Sequence, residues 1–299
     1  MRTLIALLLL VSLHANAQEL EPRAYSNAPV GLNFLIFGYG YAQGGVVVDP
    51  SIPLTNADIR VHTGVFAYAR SLGLWGRSAK FDVVAPFASL SGTADVNGEP
   101  RERDVSGFGD VRLRFSLNLR GAPALSLREM AAYRQDLVIG ASLQVLIPVG
   151  QYDPSKLVNI GSNRWAVKPE LGLSKTLGRW TLELAGAAAF YQDNDDFFVG
   201  GRTREQAPIY SVQGGAIYNF RSGVWIAISG TYYTGGRTTV DGVRGDDLQE
   251  NARFGATLAW PVNRSNSLKF YANTGVFTRT GTDFDAGGIA WQYRWGGGL

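Results

Sequence analysis

The sequence predicts an all-β fold, a transmembrane antiparallel up-and-down β-barrel of about twelve strands. Two observations predict it: segments of about ten or more residues alternate apolar and polar side chains, and the connections between them are alternately long and short. A third observation concerns the alternative way to cross a membrane, which is a transmembrane helix. After residue 17, no apolar run is long enough for a helical span, so a membrane-spanning chain of this kind is expected to be a closed barrel.

The first 17 residues form a predicted secretory signal peptide. Arg2 supplies the positive charge, residues 4–13 supply the apolar stretch, and Ala15 and Ala17 supply the small side chains of a cleavage site. We expect cleavage near Ala17 and insertion into the outer membrane of a Gram-negative cell. The chain has no cysteine, so we expect neither a disulfide nor an N-terminal lipid anchor.

The mature chain is expected to have two parts. Residues 18–31 contain Pro22 and Pro29 and show little pattern, which predicts either a simple periplasmic tail or a short plug. Residues 32–299 form the predicted barrel, with no second domain and no linker.

Composition agrees with a barrel. The chain holds 37 Gly, 13 Tyr, 15 Phe and 7 Trp beside only 18% charged residues, a mixture that is typical of strands and tight turns. The net charge of +3 is too small to indicate a nucleic-acid partner. The expected partner is outer-membrane lipid.

The clearest strand covers residues 110–120. One face is apolar and the other is polar; the apolar face consists of Val111, Leu113, Phe115, Leu117 and Leu119. Residues 137–147 and 180–190 alternate in the same way, with the apolar face expected to meet lipid. A soluble β-sandwich also alternates, but its strands usually have only about five or six residues, whereas about 9–11 are needed to cross a bilayer at a tilt.

Looser patterns complete the set of predicted strands, which cover residues 32–43, 57–70, 78–90, 108–120, 137–149, 164–175, 180–191, 208–220, 223–234, 251–262, 267–279 and 284–295. An even number returns both termini to the periplasm, and the long links are expected on the outside. Two links depart from this rule, since 121–136 is long for a periplasmic turn and 280–283 is short for an outer loop. The helical spacing within 126–133 predicts one or two helical turns there.

The last strand is rich in aromatic residues. Ile289, Trp291, Tyr293 and Trp295 share one face, which is expected to lie in the aromatic girdle at the lipid interface. We expect this strand to be the one that the barrel-assembly machinery contacts. Such strands usually end in an aromatic residue, whereas this chain continues to Leu299.

Several sequence blocks also carry a resemblance to a known family. Residues 150–154, 157–165 and 168–172, together with the later blocks 232–236 and 291–295, resemble the outer-membrane family named for the MetA pathway of phenol degradation. The resemblance implies a barrel grouped with transporters that help small aromatic or other hydrophobic compounds to enter cells that degrade them. It implies no catalytic residues.

The titratable residues argue against an enzyme. The mature chain has one histidine, His62, which alternates with Arg60 and is expected to face the lumen. A catalytic role would require a Ser partner and an orienting group, so no catalytic residue is predicted. Asp193, Asp195 and Asp196 lack the spacing of a calcium loop, and we predict neither a metal nor a cofactor.

Charged side chains on the strands are the candidate functional residues. A charge that faces lipid at mid-depth costs about 2–4 kcal/mol, so those that alternate with apolar residues are expected to line the lumen. They either pair across the barrel as an ion network or line a solute path, in a lumen that we expect to be narrow or partly blocked. The candidates are Arg60, His62, Lys80, Asp82, Asp110, Arg112, Arg114, Lys168, Glu170 and Glu183.

Aromatic residues near the loops form a second candidate set. They belong either to an entry surface for solutes or to the interfacial girdle, and they are Tyr152, Trp165, Phe197, Phe198 and Tyr233. The predicted function is passive transport of small hydrophobic or aromatic compounds across the outer membrane. The alternatives are a lipid hydrolase, which a Ser or Thr within reach of His62 would favour, and a non-transporting structural or surface-interaction barrel, which a lumen sealed by salt bridges would favour.

Overall fold

The computed structural model describes residues 21–45, 54–96, 98–198, 200–280 and 283–299. The predicted signal peptide and its cleavage site lie outside these residues. The strands are β1 (Leu32–Gly45), β2 (Leu54–Leu74), β3 (Arg77–Val96), β4 (Glu99–Phe108), β5 (Val111–Arg120), β6 (Leu137–Ile147), β7 (Ala166–Leu177), β8 (Trp180–Tyr191), β9 (Asn194–Phe197), β10 (Arg202–Gln206), β11 (Ile209–Asn219), β12 (Trp225–Gly235), β13 (Thr238–Val240), β14 (Val243–Arg244), β15 (Gln249–Pro261), β16 (Asn266–Thr278) and β17 (Asp283–Gly296).

The main sheet closes on itself. Every neighbouring pair is antiparallel, and β1 pairs with β17 on one side and with β2 on the other. β4 and β5 both pair with β3 and follow each other along the same line, interrupted at Gly109 and Asp110, so they form one strand of the barrel. The result is the predicted closed antiparallel barrel of 12 strands.

Three of the long links contain more β-structure than the sequence predicts. The link expected at 91–107 is instead a continuation of β3 paired with β4, and β2 and β3 reach 21 and 20 residues. A crossing needs only about 9–11 residues, so these strands extend well past the hydrocarbon. Most residues of β4 are exposed and several of them are charged, which is why hydrophobic alternation does not reveal it. In the same way, residues within 192–207 and 235–250 form a second, four-stranded sheet from β9, β10, β13 and β14.

The predicted helical turn in the long periplasmic link is present as α1 (Leu127–Met130). Ser126 caps its first turn: the Ser126 hydroxyl accepts from the Glu129 amide at 3.3 Å, and a Glu129 carboxylate oxygen accepts from the Ser126 amide at 2.8 Å.

Among the residues that the structure describes, no helix is long and apolar enough to cross a membrane.

The outer wall is apolar, as the alternation predicts. On β6, β7 and β8, Leu143, Leu171 and Leu184 point outward and are each about half exposed or more. Trp291, Tyr293 and Trp295 on β17 stack in a row with ring centroids 6.2 and 5.6 Å apart. This row lies near the periplasmic end of the barrel, where an interfacial girdle belongs.

The even strand number makes a testable topology. Because the chain has no native cysteine, single cysteines report their own accessibility. We expect Val243→Cys, at the exposed tip of the β13–β14 hairpin, to react with a membrane-impermeant maleimide on intact cells, and Ser222→Cys, in the turn before β12, to react only after the outer membrane is opened. The opposite labelling pattern would show that the barrel is inserted the other way round.

Candidate functional site: the barrel lumen

The lumen is lined by the side chains that alternate with the lipid-facing ones. The strand registers bring Asp82 opposite Arg114, Arg114 opposite Gln144, and Gln144 opposite Lys168, so charged and polar side chains form a belt around one side of the wall. Of the predicted lumen residues, the structure places the following on the inner face or along the cavities inside the barrel: Lys80, Asp82, Asp110, Arg112, Arg114, Lys168, Glu170 and Glu183.

Ion pairs join several members of this belt. Arg114 contacts Asp82 at 3.2 Å, and their side chains are only 10% and 7% exposed. Lys80 lies 3.7 Å from the same carboxylate, and Lys168 lies 3.7 Å from Glu170. Such pairs are screened far less than surface pairs, because little water reaches them.

The N-terminal segment, residues 21–30, enters the lumen and completes this network. Glu21 forms an ion pair with Arg114. The Arg23 amide donates to Glu183 at 2.8 Å, and the Arg23 guanidinium lies 5.2 Å from the centre of the Trp225 ring. Burial alone would raise the pKa of Glu21, but the attraction of Arg114 holds that pKa well below its usual range.

Tyr25 anchors the segment to the wall. Its ring lies against Gly140 and Gly172, which face each other on β6 and β7, and a Cβ atom at either glycine would overlap the ring. The Tyr25 hydroxyl donates to Glu170 at 2.8 Å. Burial, with Glu170 beside it, raises the pKa of this hydroxyl, so it stays protonated and remains a donor. Strand alternation does not reveal this anchor, and its local sign in the sequence is the pair of glycines that face each other.

Asp110 mainly holds a loop in place through hydrogen bonds. One carboxylate oxygen accepts from the Gly150 amide at 2.9 Å, and the other accepts from the amide and the hydroxyl of Ser162 at 2.8 and 2.5 Å. It therefore fastens the loop between β6 and β7 to the break between β4 and β5.

The expectation that Arg60 and His62 face the lumen is wrong. Both alternate with buried Ile59 and Val61, and they share the outward face of β2 with Phe66. Their position explains the error: they lie in the part of β2 that extends toward the long-loop end, where an outward charge meets headgroups or water instead of hydrocarbon.

His62 has aromatic neighbours. Its Nδ1 lies 2.7 Å from the Tyr39 hydroxyl, and its ring centre lies 5.0 Å from that of Tyr41. Ser89 is its partner in register on β3, but no hydrogen bond joins the two among the described residues. In the part of the chain that the structure describes, no group of three or more His, Cys, Asp or Glu side chains could hold a metal ion.

The aromatic candidates for an entry surface differ in their exposure to solvent. Trp165 is about half exposed and Phe198 is half-buried, in a loop conformation with φ 58°. Tyr152 is half-buried, and its hydroxyl donates to the Asp196 carbonyl and accepts from Asn194, each at 2.9 Å. Phe197 and Tyr233 cannot serve as an accessible surface.

Phe197 is buried beneath the Arg204 guanidinium, which lies 5.4 Å from its ring centre. Tyr233 is 0% exposed, packs with Ala189 and Ile209, and accepts a hydrogen bond from Asn251 at 2.8 Å. Tyr233 is one of the odd-numbered residues of β12, whose side chains point inward, so it is not part of a loop surface.

A chamber of about 790 Å³ occupies the lumen beside the N-terminal segment. Apolar side chains such as Ile36, Val65, Val84 and Leu146 line it together with Lys80 and other charged groups. On the other side of the segment, next to β6, β7, β8 and β11, lies a much smaller cavity of about 30 Å³. The segment therefore leaves one side of the lumen open and nearly fills the other.

A closed antiparallel barrel with an apolar outer wall and a polar lumen defines the class of this protein: it is an outer-membrane β-barrel. The chain belongs to the family described as "Putative MetA-pathway of phenol degradation", whose model matches residues 39–294. The resemblance seen in the sequence blocks is thus confirmed.

Solved structures agree on the fold. An outer membrane channel from Pseudomonas putida F1 is 24% identical, with a TM-score of 0.80 over 93% of this chain and 100% of that chain. The transport unit of the autotransporter AIDA-I from Escherichia coli is 8% identical, with a TM-score of 0.51 over 92% of this chain and 93% of that chain. The chain matches no curated protein sequence.

Proposed function

We propose that this protein is a passive outer-membrane channel for small, mainly hydrophobic or aromatic compounds. The observation that carries the proposal is the chamber inside the barrel, which is large enough for a small organic molecule and is lined by apolar side chains with a few charged ones. A barrel whose only role is structural has no need of such a space, and it would gain stability by filling it.

The relatives support the same proposal. The Pseudomonas putida F1 protein with a similar barrel is described as an outer membrane channel. The family description refers to phenol degradation, which agrees with small aromatic compounds as the transported class.

In this proposal, residues 21–30 serve as a short plug that narrows the path to one side of the lumen. Their contacts with Arg114, Glu170 and Glu183 hold them against the wall formed by β5 to β8. We also propose export by the signal peptide with cleavage near Ala17, and contact of β17 with the barrel-assembly machinery during insertion. Exposed Trp165 and half-buried Phe198 are proposed to lie near the entrance.

The two alternatives receive less support. A lipid hydrolase would need a nucleophile hydrogen-bonded to His62. The Nδ1 atom of His62 is instead hydrogen-bonded with the Tyr39 hydroxyl, and no hydrogen bond to Ser89 is present among the described residues. A sealed structural barrel would need ion pairs across the whole lumen, whereas the ion pairs around Arg114 leave the chamber beside them unfilled.

Flux through reconstituted vesicles tests the proposal. Proteoliposomes with the wild-type barrel are expected to take up small aromatic acids faster than protein-free vesicles, because the chamber provides a path that avoids the hydrocarbon. Vesicles that contain the same protein after heat unfolding are the control. Wild-type vesicles no more permeable than empty ones, to ions and to aromatic acids alike, would overturn the proposal.

A further inference from the structure

The charge of the chain is concentrated around the chamber. Seven basic and three acidic side chains line it, a net charge of +4, whereas the whole chain carries only +3. The rest of the chain is therefore close to neutral. A cavity with low-dielectric walls and one prevailing sign of charge attracts ions of the opposite sign.

Within the chamber, Lys269 is distinguished by its lack of a partner. Among the residues that the structure describes, its ammonium group forms no salt bridge and no hydrogen bond. It interacts electrostatically with Glu21, but also with the cations Lys80 and Arg114. Glu21 is itself paired with Arg114, so this carboxylate is already engaged. An ammonium group has three N–H donors, and here they point into a space that a solute could share.

The wall next to Lys269 is apolar and recessed. Its partners in register are Ala259 on β15 and Ala290 on β17. Beyond Ala290 the same inward row continues with Gly38 and Val65, and all of these residues line the chamber. Small side chains on both sides of Lys269 leave room beside it, and the row contains no acidic group.

We propose that this part of the chamber is a binding subsite for small amphipathic anions, with a carboxylate at Lys269 and the apolar body of the molecule against Ala290, Gly38 and Val65. The inference rests on the proposed channel function and narrows it to carboxylates that carry an aromatic or aliphatic body. A neutral molecule gains only the apolar contact, and a cation is repelled by Lys80, Lys269 and Arg114. A carboxylate gains charge-assisted hydrogen bonds as well.

Calorimetry on the barrel in lipid nanodiscs tests the subsite without requiring passage. Phenylbutyrate is the anionic probe, and phenylbutanol is its neutral counterpart. We expect wild-type protein to bind the acid at least about tenfold more tightly than the alcohol, and Lys269→Gln to lose roughly that factor for the acid alone. Lys269→Arg is expected to retain most of the preference, because it keeps the charge.

Lys175→Gln is the matched control. It removes the same charge from the outward face at the periplasmic end of β7, and it should leave binding of both probes unchanged. The heat-dependent shift in gel mobility of each variant shows whether its barrel is intact. Equal affinity for acid and alcohol, an unchanged acid affinity in Lys269→Gln, or no binding of either probe would each overturn the subsite. If one of these results is obtained but neutral aromatic compounds still cross the reconstituted membrane, the subsite is wrong and the channel function stands.

Discussion

Replacing Arg114 by methionine is expected to lower the free energy of unfolding of the barrel by about 3 kcal/mol, near the lower limit for breaking a buried ion pair. Methionine keeps most of the volume but removes the charge. Asp82 would then keep only Lys80 at 3.7 Å, and its second carboxylate oxygen already has no hydrogen-bond partner among the described residues. Glu21 would lose its ion pair as well.

Urea unfolding in lipid vesicles, with the heat-dependent shift in gel mobility as a second measure, tests this expectation. Arg120→Met is the matched control, because Arg120 is exposed at the end of the same strand and should change stability little. The double variant Arg114→Met with Asp82→Asn should recover part of the loss, since no charge of Asp82 is then stranded. If Arg114→Met unfolds like the Arg120 control, the ion network around Arg114 does not stabilise the wall.

The inner and outer faces of the crossing segments follow from the sequence because lipid imposes the alternation. Arg112 and Arg114 have to point inward, since an outward charge at that depth is too costly. The same rule gives the wrong side for Arg60 and His62 because it assumes hydrocarbon along the whole strand. β2 is 21 residues long, and its outer part lies beyond the region where the rule applies.

The contents of the lumen follow from the sequence much less completely. Tyr25 meets Gly140 and Gly172 more than a hundred positions along the chain, so no local periodicity joins them. Lys269 lies on a strand whose inward residues are mixed, and its surroundings depend on the registers of β15, β16 and β17. Register is fixed by pairing around the closed barrel, which one strand's pattern does not contain.

Replacing Gly172 by alanine is expected to release the N-terminal segment from the wall and to raise the conductance of the barrel severalfold. The added Cβ would overlap the Tyr25 ring, and rigid backbone on both sides prevents the strand from moving away. The ring therefore has to leave its site, and the bond from its hydroxyl to Glu170 is lost with it. Because residues 21–30 separate the open chamber from the nearly filled side, their displacement should widen the path.

Single-channel recording in planar bilayers measures this effect directly. Gly186→Ala is the matched control. Gly186 lies on neighbouring β8, opposite Leu171, and among the described residues an added Cβ there would meet only the Ser211 carbonyl oxygen, at 4.0 Å, within that distance. Tyr25→Ala should raise the conductance in the same direction, and adding Gly172→Ala to it should change little more, because the ring is already absent. If Gly172→Ala conducts like wild type while Tyr25→Ala conducts more, the ring accommodates the added methyl group without releasing the segment. If neither variant changes the conductance, residues 21–30 do not obstruct the lumen.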